Sequence, residues 1–111
     1  MRPLAVAALI GVVAAPGAAS ARTKPALRVT HELPLTLVGV GFRPAESARV
    51  TIVIGQLRAV RAVRASRRGS FTLRLAGVRL NYCAQPLSIV ARGTRSGLVR
   101  FVPPMRECAA P

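Results

Sequence analysis

The chain has 111 residues, with 17 Lys or Arg against 3 Asp or Glu, one His and two Cys, for a formal net charge of +14. Acid–base, nucleophilic and metal chemistry all need titratable groups brought together, and one histidine with three glutamates and no aspartate supplies no such constellation. The chain does supply a strongly positive field, which attracts anionic polymers and membrane surfaces and weakens with salt.

The first residues read as an export signal. Arg2 gives a positive start, Leu4 to Val13 an apolar run, and Ala19-Ser20-Ala21 a small-residue cleavage site. A retained membrane anchor competes with this reading, since no charge lies between Arg2 and Arg22, but Pro16 and Gly17 break the segment and alanine dilutes it. The expectation is a signal peptide over residues 1–21 and one domain over residues 22–111, secreted and extracellular or associated with the cell envelope. No membrane span is expected after cleavage. The near-absence of lysine, with Lys24 alone, fits the codon bias expected of a GC-rich genome; the charge acts the same whatever its origin.

From Ala26 onward, short apolar or alternating runs are separated by Gly, Pro and Ser at the spacing of an antiparallel sandwich. Strands are predicted at Ala26 to Thr30, Leu35 to Val40, Ala48 to Ile54, Ala59 to Ser66, Ser70 to Leu75, Leu87 to Arg92 and Leu98 to Val102. Seven strands suit an all-β fold, a single immunoglobulin-like antiparallel β-sandwich. Leu57 to Arg68 could instead be an amphipathic basic helix, since arginine recurs every third residue. On a helical wheel, however, Leu57 falls among the arginines and no clean apolar stripe forms.

Two hairpins follow in register. Ser66 and Ser70 flank Arg67-Arg68-Gly69, which would pair Ala65 with Phe71 and Val63 with Leu73 on an apolar face, and Arg64 with Thr72 and Ala62 with Arg74 on a basic one. Arg61 then falls on the apolar face, so it lies at the core's margin or the strand carries a bulge. The second hairpin folds about Arg95, pairing Ile89 with Phe101, Ala91 with Val99 and Leu87 with Pro103. Extended outward, that register brings Cys83 within one residue of facing Cys108. A single disulfide is therefore predicted to close the hairpin's open end, in keeping with an oxidising compartment.

At Gly39 to Glu46 the chain reads GVGFRPAE, which resembles the G-x-G-F-x-P-G-E signature of immunoglobulin-like domains in secreted actinobacterial proteins, loosely related to IPT/TIG sandwiches. The alternation at Ala48, Val50 and Ile52, the turn from Ala65 to Phe71, and a late Cys followed by LSIVARGTRSG extend the resemblance over roughly Leu33 to Cys108. Ala45 stands where the pattern usually has glycine, and Ala48 where a larger apolar residue is usual. The resemblance implies a non-catalytic extracellular module.

No catalytic residue, metal ligand or cofactor site is expected. His31 and Glu32 are neighbours on a strand end, where adjacent side chains point to opposite faces. Glu46 is expected to serve the turn after Pro44, accepting backbone hydrogen bonds or pairing with Arg43 or Arg49, and Glu107 to sit solvated beside the bridge. Tyr82 is read as packed against the disulfide, and Phe42, Phe71 and Phe101 as core. The candidate binding surface is the patch of Arg64, Arg67, Arg68 and Arg74, whose guanidinium groups suit phosphate or carboxylate; the competing reading is a merely solvated basic face. The sequence does not identify a partner. An anionic cell-envelope polymer or another surface protein is the expectation. Specific nucleic-acid recognition is not expected, because the aromatics that would stack on bases go to the core.

Overall fold

Alternation with a period of two puts every second side chain on one face, so each short run must find a second layer to cover its apolar side. The computed structural model describes residues 24–109; the expected leader at residues 1–21 lies outside them. Seven strands form: β1 (Ala26–Glu32), β2 (Leu35–Val40), β3 (Ser47–Ile54), β4 (Leu57–Arg64), β5 (Phe71–Leu75), β6 (Leu87–Gly93) and β7 (Gly97–Arg100). They assemble into a three-stranded sheet, β1-β2-β5, and a four-stranded sheet, β4-β3-β6-β7, every pair antiparallel. This is the immunoglobulin-like all-β sandwich read from the sequence. Among the described residues there is no helix, and β4 occupies the segment for which a basic helix was the alternative.

Leu27, Leu35, Leu37, Phe71 and Leu75 of one sheet meet Val50, Ile52, Ile89, Ala91 and Val99 of the other in a single buried cluster. Leu35, Leu37, Val50, Ile52 and Ile89 are the most completely enclosed, each worth about 1.5–3 kcal/mol relative to exposure. Phe42 and Phe71 meet edge to face, centroids 5.3 Å apart, while Phe101 is half-buried against the cluster.

The first predicted hairpin is corrected by the sheet topology. β4 and β5 do not pair: β4 lies along β3, with Val63 beside Ala48 and Arg64 beside Ser47, whereas β5 crosses to the other sheet and lies along β2, with Leu73 beside Leu37 and Arg74 beside Thr36. The turn itself forms, the Ser66 N–H donating to the Ser70 carbonyl at 2.7 Å. Ala65 and Phe71 are both buried as expected, but each belongs to a different layer. The true partner of β4 comes before it. A two-residue turn at Gly55-Gln56, with Gly55 at φ 61°, folds Ile54 back onto Leu57 in the pattern of a type II′ hairpin.

In that register Arg61 sits opposite Val50, on the core-facing side of β4, yet is exposed because β4 is the sheet's edge. This is the core-margin position anticipated for it, and the strand pairs without a bulge. Among the described strands, a register shift falls in β1, between Val29 and His31.

The second hairpin has the predicted register as far as Ile89 and Phe101, and the predicted pairing of Leu87 with Pro103 lies beyond the end of β7 at Arg100. Ala91 pairs with Val99, Arg92 with Leu98, and the Phe101 N–H donates to the Ile89 carbonyl at 2.9 Å. Beyond it, Cys83 and Cys108 form a disulfide with Cα atoms 5.7 Å apart. The bridge ties the C-terminal tail to the loop that precedes β6. Arg106 on that tail lies over the Tyr82 ring, 4.2 Å from its centroid, and reaches Glu32 at 3.5 Å.

Candidate functional site

The outer face of the four-stranded sheet is set by the alternation of its strands. Since Ala48, Val50 and Ile52 point inward, Arg49, Thr51 and Val53 point outward, and the pairing carries this parity to Arg58, Val60, Ala62 and Arg64 on β4 and to Ser88, Val90 and Arg92 on β6. On β7 the outward residues are Leu98 and Arg100. Five arginines thus share this face with Thr, Ser, Ala, Val and Leu, and no carboxylate lies among them.

Arg49 and Arg92 are direct cross-strand partners. Side chains so placed have Cβ atoms about 5 Å apart, and like charges there repel. Sequence-adjacent residues do not relieve the repulsion. The two arginines line an open groove of about 600 Å³ with Ala62, Thr94 and Arg95, at the end of the face where the β6–β7 turn rises. Its size falls in the range of small-molecule sites.

That turn is held by Glu46, whose carboxylate accepts four hydrogen bonds. Glu46 is only 3 % exposed and stands at the mouth of β3. Its Oε1 accepts from the Arg43 N–H at 2.8 Å and the Ser96 hydroxyl at 2.7 Å, and its Oε2 from the N–H groups of Arg95 at 2.5 Å and Ser96 at 2.6 Å. Burial pushes its pKa up, but the Ser96 hydroxyl and the three backbone donors outweigh burial and bring it from 4.5 down to about 2. Gly93 packs against the same carboxylate, where a Cβ would strike Oε2. Of the two expected roles, Glu46 takes the backbone one: it clasps the Gly41–Glu46 loop to the β6–β7 turn and so fixes the Arg95 backbone beside the groove.

The predicted patch is dispersed. Arg64 lies on the outer face of the four-stranded sheet and Arg74 on the outer face of the three-stranded sheet, so the two point in opposite directions, with Arg67 and Arg68 exposed on the turn between the layers. Arg49, Arg92 and Arg100, which gather with Arg64, were not singled out in the sequence. The outward parity of each is readable from alternation, but their neighbourhood requires the strand order β4-β3-β6-β7.

Cys83 and Cys108 are joined as predicted. Tyr82 is half-buried beneath Arg106. His31 and Glu32 are both exposed at the end of β1; the Thr30 hydroxyl is 3.2 Å from His31 Nδ1, and Glu32 turns to Arg106. Among the described residues, no three of His, Cys, Asp and Glu converge on a metal-sized site. Nor is any helix there long and apolar enough to cross a membrane. Compared with protein-family models, curated proteins and solved structures, the chain matches none of them.

Proposed function

We propose that this chain is a secreted, non-catalytic immunoglobulin-like module that acts by binding at the cell envelope, of the actinobacterial, loosely IPT/TIG-related type that the Gly39–Glu46 pattern resembles. The observation that carries the reading is where the three carboxylates lie: Glu46 inside, Glu32 against Arg106, and Glu107 beside the disulfide. The outer face of the four-stranded sheet is left cationic and uncompensated. A surface that assembles no nucleophile, base or acid pair but concentrates guanidinium groups is suited to holding an anionic partner. The disulfide fits the oxidising side of a membrane, which supports export.

The same observation favours a narrower second reading, attachment to anionic envelope polymers by charge. Residues 22–111, produced with the disulfide formed, are to be incubated with envelope preparations from a GC-rich Gram-positive bacterium over a salt series. Retention at physiological salt is expected, with affinity falling steeply as salt rises if attachment is electrostatic and only weakly if a shaped interface dominates. Recovery of all the protein in the wash at physiological salt would refute both readings.

A further inference from the structure

The arginines of the four-stranded sheet are ordered. Following the strand order β4-β3-β6-β7, an oblique line takes one outward arginine from each strand, Arg64, Arg49, Arg92 and Arg100, while the fifth, Arg58 on β4, lies off it, level with Val53. Arg64 is level with Ser47, Arg49 and Arg92 are level with each other, and Arg100 is level with Val90 and so with Thr51. The line therefore runs obliquely and without a reversal across the whole face. With strands about 4.8 Å apart and about 3.3 Å per residue, it spans about 20 Å. Thr51, Val60 and Val90 form an uncharged floor along its flank.

We propose that this oblique stripe is the binding site for a linear phosphodiester polymer without bases, laid across the strands with one phosphate seated between Arg49 and Arg92. The proposal rests on the envelope-binding reading above and adds the site and the ligand class. Three features carry it. The lone pairs of a carboxylate lie in one plane, whereas those of a phosphodiester's two non-bridging oxygens spread around a tetrahedral phosphorus and can accept from guanidinium groups approaching from two sides. The central pair, forced together by the β3–β6 register, is built for the second case. The groove at that pair, with Arg95 on its rim, provides the concavity for a phosphate group, and the Glu46 clasp holds the rim in place. The uncharged floor suits a polymer whose charges are separated by neutral linkers. No aromatic residue lies among the outward positions, so nucleic acid would gain no stacking there.

The test uses residues 22–111 and three probes matched for charge number: poly(glycerol phosphate), polygalacturonate and single-stranded DNA. Arg49→Gln/Arg92→Gln is compared with Arg67→Gln/Arg68→Gln, which removes the same charge from the turn, and with Arg49→Lys/Arg92→Lys, which keeps charge and removes the forks. Poly(glycerol phosphate) should bind most tightly. Arg49→Gln/Arg92→Gln should lose about tenfold or more, the lysine variant several-fold, and the turn variant about twofold or less. Since the central pair repels itself, the glutamine variant should melt no lower than the parent, so lost binding is not lost folding. Equal losses from the stripe and turn variants would overturn the proposal in favour of diffuse charge. Tighter binding of polygalacturonate or DNA would overturn its ligand class. If envelope retention persists while these results fail, the envelope reading stands and the stripe is wrong; if retention itself is absent, both fall.

Discussion

Glu46 is satisfied by amides and one hydroxyl although the chain is rich in arginine. A buried Arg–Glu pair would have to desolvate two charges, whereas backbone donors in two loops already need acceptors. Because the folded pKa of about 2 lies below the unfolded value near 4.5, the unfolded chain takes up the proton first as pH falls. The stabilisation from this carboxylate is complete above about pH 4.5 and is lost progressively toward pH 2. Thermal melts should show that loss. In Glu46→Gln the amide NH2 must meet donors, costing about 3 kcal/mol at neutral pH and flattening the acid limb. An acid limb unchanged in Glu46→Gln would assign the sensitivity to another group. One residue earlier, Ala45 sits at φ 58°, in the left-handed region that costs a side chain of its kind about 1 kcal/mol. Glycine there relieves the strain and returns part of the gain as unfolded-state entropy. Ala45→Gly is expected to raise stability by about 0.5 kcal/mol in denaturant titrations; a lowered midpoint would show that the loop does not strain Ala45.

At the scale of elements, the β6–β7 ribbon and its disulfide were legible because both are local. A turn symmetric about Arg95 fixes the register, and the disulfide joins the loop just before β6 to the tail just after β7. The absence of a β4–β5 pairing has an equally physical reason: Ser66 to Ser70 makes the same hydrogen-bonded turn whether the chain returns along its own sheet or crosses to the facing one. The Gly55-Gln56 turn carried the missing information, since a II′ hairpin there commits β4 to β3 and leaves β5 to seek β2. The disulfide closes a separation of 25 residues, worth about 3 kcal/mol by loop entropy. Cys83→Ser/Cys108→Ser should lose about that amount in denaturant titrations. Hydrogen exchange should accelerate first in the tail around Arg106, while β3 amides, paired on both sides, stay protected. Equal acceleration throughout would mean that the bridge supports the whole sandwich rather than its last ribbon.

Across the whole molecule, strand identity was readable residue by residue, while the candidate site was not. Arg49, Arg92 and Arg100 are separated along the chain by turns and other strands, and what unites them is a sheet order decided by tertiary packing. Arg64, Arg67, Arg68 and Arg74 form one patch only if β4 and β5 pair as a hairpin, and the layer change instead sends Arg64 and Arg74 to opposite sides. Charge segregation follows from the same arrangement: the core consumes one carboxylate, the C-terminal end gathers the other two, and the broad sheet keeps its cations.

The eight-residue β4 leaves a row of backbone donors and acceptors open along its outer side, where a second copy could add itself strand to strand. Arg61, exposed at that margin with Arg58 and Arg64 on the same strand, means that any such recruit would bring like charge against like and would have to strip water from a guanidinium. Copies crowded onto one anionic thread could therefore stand shoulder to shoulder without fusing into fibres.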